Sequence, residues 1–153
     1  MTATCSIATA TASDAAAVAD VRNAAAVELT RLHGQGHWSG LTTAQGVLHG
    51  INTSRVLVAR FDDRIVGTLR LTLKRPWAID PSFFADSRKP LYLVDMAVTP
   101  SAQRQGTGRE LLRAAVKTAE GWKADAIRLD AYDHAAGAGP FYEKCGFEAV
   151  GRA

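Results

Sequence analysis

The sequence has almost no cysteine: Cys5 and Cys145 stand near opposite ends of a 153-residue chain, with no CxxC or Cys/His spacing suited to zinc. That excludes a disulfide-stapled scaffold and predicts a reduced, cytoplasmic protein. Proline is scarce, at 5 residues, and no run approaches the ~18 consecutive apolar residues of a membrane span. The opening stretch MTATCSIATATASDAAAVAD lacks a basic start and carries Asp14 and Asp20 within its apolar part, so it does not read as a signal peptide. The four histidines, His33, His37, His49 and His134, suggest no metal site. No block of like charge is present either. Eighteen Lys and Arg against fifteen Asp and Glu give +3, spread along the chain, which assists an anionic ligand mildly and argues against a nucleic-acid partner.

What is present is ordinary globular material, 47% hydrophobic and 22% charged, with no repeat, low-complexity block or linker. Residues 1–153 are expected to form a single domain. Ser6 to Thr9 suits a short strand, and Ser13 and Asp14 offer capping side chains to a long helix. Val18, Val21, Ala25, Leu29 and Leu32 would form its buried face, and Asp20, Arg22, Glu28 and Arg31 its polar one. Gly34-Gln35-Gly36 ends that helix, and Thr42 or Thr43 caps a shorter second one through Gly50. Arg55 to Phe61 and Arg64 to Leu73 read as a hairpin about Asp62-Asp63. In its second strand Leu69, Leu71 and Leu73 mark a buried face, while Thr68, Arg70 and Thr72 mark a wetter one. A long loop with Trp77, Phe83 and Phe84 leads to the apolar run Leu91 to Val98, a helix over 106–120, a strand over 126–130, and a short helix ending at Gly146. Phe147 to Val150 would begin a last strand. The sum is an α/β fold: a mixed sheet of about six strands flanked by about four helices, with a crossover in its second half.

The segment VTPSAQRQGTGRELL carries the chemistry. A strand stops at Pro100, a turn with Gly106 and Gly108 follows, and a helix begins, so several free backbone N–H groups and a positive dipole end converge. Such a cradle suits a phosphate or pyrophosphate. Arg104 and Arg109 flank it, and Gln103 brings a side-chain amide. No GxxxxGK[ST] is present, and a dinucleotide fingerprint would need a small residue where Leu111 stands.

This segment resembles the coenzyme signature Q/R-x-x-G-x-G/A of the GNAT N-acetyltransferase superfamily, with Gln103, Gly106 and Gly108 at its fixed positions. FYEKCGF, Phe141 to Phe147, resembles a second family segment, and the order of elements over nearly the whole chain is similar to the family's. GQGHWSG and RPWAIDP resemble a bacterial subgroup within it and name no substrate.

The resemblance implies an acetyl-CoA-dependent N-acetyltransferase, with acetyl-CoA as co-substrate and direct attack by an amine of a small molecule or protein. Met96, Ala97 and Val98 would bind the pantetheine arm and thioester through their backbone. The amides of Arg104, Gln105, Gly106, Thr107, Gly108 and Arg109, with Gln103, would hold the pyrophosphate. Tyr142 is the implied general acid, its alternative an ordinary packed tyrosine. Asp95, a carboxylate inside an apolar run, is either the base for the amine or a structural partner of an arginine such as Arg70. Asp130, Asp133 and His134 are weaker base candidates, and a water chain is another. His37, Trp38 and Trp77 would line the acceptor pocket, with plain packing as the alternative.

The chain departs from the family pattern at Ala135, where an asparagine is usual, and ends at Ala153, short of the usual final strand. Either the sheet is short, or a partner supplies an edge, or the sequence stops early; a homodimer is allowed for as the assembly. These departures keep a non-catalytic acyl-CoA-binding module as the alternative. A nucleic-acid binder ranks last, and no membrane contact is expected.

Overall fold

The structure is a computed structural model that describes residues 5–152; Met1 to Thr4 of the opening stretch and Ala153 lie outside the described residues. Its elements are β1 (Ser6–Thr9), α1 (Ala15–His33), α2 (Ala44–Thr53), β2 (Arg55–Phe61), β3 (Arg64–Thr72), β4 (Pro90–Val98), α3 (Thr107–Gly121), β5 (Ala126–Arg128) and α4 (Gly139–Lys144). The sheet runs β1-β2-β3-β4-β5, antiparallel except for the parallel β4–β5 pair that α3 bridges. This is the expected mixed α/β sheet, with five strands; residues 147–150 are irregular where a sixth was expected to begin. No helix among the described residues is long and apolar enough to cross a membrane.

Local chemistry explains most boundaries. Thr43 Oγ1 accepts the Gly46 N–H at 3.0 Å and starts α2. Asp14 Oδ2 accepts the Thr11 N–H at 2.8 Å while Oδ1 takes Arg60 at 2.7 Å, so the entry to α1 is tied to β2. The amide bond from Thr11, with Arg60 adding to it, holds the Asp14 carboxyl below its ordinary range.

Both faces of the sheet are covered. Leu57, Leu69, Leu71, Leu91 and Leu93 meet Leu111, Leu112, Ala115 and Ala119 of α3 on one side. On the other, Val56 and Val58 meet Ala15, Val18 and Ala19 of α1 and Val47 of α2. Small alanines carry much of the α1 contact, so the predicted stripe is only half right. Val18 and Val21 are buried, but Leu32 is 57% exposed.

The hairpin reading needs a similar correction. Leu69 and Leu71 are buried, while Leu73 lies past the strand end and is exposed; Thr68, placed on the wetter face, is buried and donates to Leu57 O at 2.9 Å. That face of β3 looks into the sheet–helix interface, which is why Arg70 is half-buried. Arg128, buried at the start of the β5 exit, donates to Tyr92 and Ala85 O and lies over Phe84, joining the long loop to the sheet.

Candidate functional site

The pairing between β4 and β5 stops early. Pro90, Leu91 and Tyr92 face Ala126, Ile127 and Arg128, and there β5 ends, while β4 continues to Val98. At the closed end the Asp125 carboxylate accepts the Arg88 and Lys89 amides at 2.9 and 3.1 Å and the Ser87 hydroxyl. The two strands are thus pinned at one end and separate at the other. Backbone groups of residues 93–98 that point toward β5 have no strand partner there.

A bulge sits at the point of separation. Against β3, Thr68 pairs with Ala97 and Arg70 with Val94, so β4 carries one extra residue, and Asp95 takes the left-handed conformation at φ 56°. The side chain leaves toward α1 and α2. Its Oδ2 accepts Arg70 Nε at 2.9 Å and its Oδ1 accepts Arg22 Nη2 at 3.2 Å. The arginine partnership foreseen for Asp95 is therefore made, and it is double. Arg22 was assigned to the solvent face of α1; the signal that could have found it is that a carboxylate in an apolar strand needs cationic neighbours.

Beyond β4 the chain makes a short turn over Pro100–Ala102 and enters α3 through Gly106, at φ 86°. The backbone donors Ala102 and Gln103 bond to Thr99 and Pro100, and Glu110 is the next to bond, to Gly106 O. Among the described residues, the amides of Arg104 through Arg109 between them meet no protein acceptor. Gly106 would have nothing within 4 Å of an added Cβ, so its glycine serves conformation and an open approach. Gly108 is different: a Cβ there would stand 2.9 Å from the Phe141 ring. The two segments read separately in the sequence touch at that contact.

The glutamines brace the turn. Gln103 Nε2 donates to Val98 O at 3.0 Å, and Gln105 Nε2 reaches Ser101 O at 3.4 Å. Arg104 is exposed at φ 63°, and Arg109 lines a groove with Ile7, Cys145 and Phe147 on the outer side of α3. Thr107 is 2% exposed, and its Oγ1 has no partner among the described residues. A buried hydroxyl without a bond costs stability, and valine has nearly its shape. Thr107→Val is expected to raise stability by about 1 kcal/mol, read as a higher urea midpoint with unchanged slope.

Tyr142 is positioned by the cap that ends α4. Phe147 N donates to Tyr142 O at 3.0 Å and Gly146 N to Glu143 O at 3.1 Å, with Gly146 at φ 99°. An apolar contact commonly accompanies this double closure, and the Tyr142 and Phe147 rings supply one, 5.8 Å apart and edge to face. Pro140 lies in the first turn of α4, as its fixed φ favours. The Tyr142 hydroxyl points at Met96 Sδ, 3.6 Å away, on the separating stretch of β4. Burial, with Asp130 and Cys145 adding to it, pushes the phenol up to about 12.

His37 and Trp38 are brought together with residues not foreseen as their partners. Tyr132 donates to His37 O at 3.1 Å and stacks on the imidazole at 6.3 Å; Trp38 lies 4.6 Å from His134 and 6.0 Å from Tyr132. His33 joins at 5.6 Å from His134. This aromatic group links the α1–α2 connection to the loop after β5. Trp77 is 93% exposed and makes no aromatic pair among the described residues, so the structure does not bring it to the group. Asp133 pairs with Arg152, and His134 Nδ1 accepts the Ala136 amide at 2.9 Å.

A free strand edge, a run of unpaired amides at a helix start and a buried phenol between them suit an extended ligand with phosphate at one end and a polarisable carbonyl at the other. The sequence profile described as the acetyltransferase (GNAT) family matches residues 17–147. The comparison with curated proteins gave no match. Among solved structures, a tetramutant of the BH1408 protein from Bacillus halodurans superposes with a TM-score of 0.73 at 22% identity, covering 97% of this chain and 96% of that one. An aminoglycoside acetyltransferase from an uncultured soil metagenomic sample gives 0.69 at 17% identity, over 98% and 95% of the two chains. Glucosamine-6-phosphate N-acetyltransferase from Arabidopsis thaliana gives 0.62 at 15%, over 98% and 95%. Identities this low describe a shared fold and assign neither a subgroup nor a substrate. With the profile covering most of the chain, the protein belongs to the acetyltransferase (GNAT) family.

Proposed function

We propose that the protein is an acetyl-CoA-dependent N-acetyltransferase whose acceptor is an amine. The observation that carries this reading is the unpaired β4 edge running directly into the unpaired amides at the start of α3. The residues present fit the coenzyme: the amides of residues 104–109 would hold the pyrophosphate, and the backbone of Met96, Ala97 and Val98 the pantetheine arm. When bound, the coenzyme supplies an activated acetyl thioester. The β4 amides then orient the carbonyl and place donors where charge develops on its oxygen.

Tyr142 holds a proton at its phenol oxygen throughout the neutral range and offers it as a hydrogen bond to the departing sulfur. An ordinary thiol has a pKa of about 8.5, so full transfer from this phenol is uphill. Its work is donation to the developing thiolate, with solvent completing the protonation. Asp95 has both oxygens on guanidinium groups, which favours its role as a positioning residue. A water relay then takes the proton of the amine. The aromatic group of His37, Trp38, Tyr132 and His134 walls the acceptor side.

Steady-state thiol release from acetyl-CoA across a broad panel of amines tests the reading, alongside calorimetric titration with the coenzyme. Turnover with at least one amine class is expected. Tight coenzyme binding without turnover for any class would favour the acyl-CoA-binding module, which Ala135 keeps as the second reading.

A further inference from the structure

We propose that the cavity beneath Asp95 receives a carboxylate of the acceptor, so that the acceptor is an amine that also carries a carboxylate, as amino acids do. This rests on the acetyltransferase reading and names the substrate class of the same site. The cavity, of about 100 Å³, lies between α1, α2 and the sheet, and its polar lining is Arg22, His49, Thr68, Arg70 and Asp95.

Its charge does not balance. Two guanidinium groups face a single carboxylate, and no other Asp or Glu lines the space. Each arginine spends little of its donor capacity. Arg22 donates only to Asp95 Oδ1, and Arg70 donates through Nε to Oδ2 and weakly, at 3.4 Å, to Ser54. The other N–H groups of both have no protein acceptor among the described residues. Half-buried guanidinium donors directed into a polar hollow are an oxyanion receptor, and one uncompensated positive charge matches a monoanion better than a phosphate dianion.

Size and place agree. At about 100 Å³ the space accommodates a small group such as a carboxylate. Gly50 limits it on the α2 side, since an added Cβ would lie 3.1 Å from Arg70 Cδ. Asp95 precedes Met96, the first residue of the proposed thioester-binding stretch, and consecutive Cα atoms are about 3.8 Å apart. The cavity therefore lies against the residue that adjoins the proposed thioester-binding stretch.

The test compares L-amino acids with their own α-carboxamides, which retain amine and side chain but lose the anion. Binding is measured by calorimetry on the full chain, both without coenzyme and with saturating coenzyme A. The carboxylate of at least one pair is expected to bind about 10- to 100-fold more tightly than its carboxamide. Arg22→Met and Arg70→Met should each remove most of that preference while thermal melting and coenzyme binding confirm an intact protein; Arg22→Lys should keep part of it. Equal affinity within every pair, binding of neither series, or a preference that survives both methionine variants would overturn the inference. Tighter binding of aminoethylphosphonate than of any carboxylate would overturn it in favour of a phosphate-like ligand. The outcomes separate from failure of the acetyltransferase reading, which would show as absent thiol release and coenzyme binding with the carboxylate preference intact.

Discussion

Tyr142→Phe is expected to lower kcat by about 10²- to 10³-fold while leaving the coenzyme dissociation constant within a few fold. The reasoning separates packing from chemistry. The ring fills the core beside Phe147 and Phe141, and phenylalanine keeps that volume; the hydroxyl has only a sulfur contact, to Met96 at 3.6 Å, and contributes little to stability. What is lost is the donor facing the separating part of β4. A kcat within two- to threefold of the parent would mean that Tyr142 only packs. The same variant carries a stability signature. The folded phenol titrates at about 12, against an unfolded value near 10, so between those pH values the folded state binds more protons than the unfolded chain. The parent should lose about 2–3 kcal/mol as pH rises from 10 to 12, and nothing from this group below 10. Denaturant melts of parent and Tyr142→Phe should give nearly equal stability below pH 10, and above it the parent should fall below the variant by up to about 2–3 kcal/mol.

Much of the fold was legible because its elements carry local punctuation. Thr43, Gly34, Pro140 and Gly146 mark helix ends by their own local chemistry, and the structure places boundaries at them. The turn between β4 and α3 was legible for the same reason, since Gly106 is a conformational requirement that sequence exposes. The misread parts depend on what lies opposite in space. Whether the Thr68–Arg70 face of β3 meets water or a helix is decided by α1 and α2, as is the reach of Arg22 across to Asp95. Gln103 donates one side-chain N–H to Val98 O, a brace across the turn that local sequence does not reveal. Trp77 and Trp38 are equal as letters, and only the loop after β5, bringing Tyr132 and His134, distinguishes the packed ring from the exposed one. Phe147 was read as the start of a strand and instead completes the cap that fixes Tyr142.

Asp95 joins the backbone of β4 to the two arginines, and paired substitutions separate those contributions. Asparagine tolerates the left-handed conformation and keeps a side-chain acceptor, so Asp95→Asn removes chiefly the charge. With the carboxylate 29% exposed and the arginines similarly placed, a loss of about 1–2 kcal/mol is expected, well below that of a fully buried pair. Valine has no acceptor and is sterically opposed to φ 56°, so Asp95→Val adds backbone strain and leaves both guanidinium groups without their carboxylate. Its expected cost is about 3–4 kcal/mol, measured by urea unfolding. The gap between the variants reports the energy that holds the bulge. Relaxing the bulge would re-pair Met96 with β3 in a shifted register and turn its neighbours away from the free edge, so kcat should fall far more in Asp95→Val than in Asp95→Asn. A positioning role also predicts that Asp95→Asn leaves the acidic limb of the kcat/KM profile where it was. Disappearance of that limb in Asp95→Asn would instead identify the carboxylate as the base that accepts the proton of the amine.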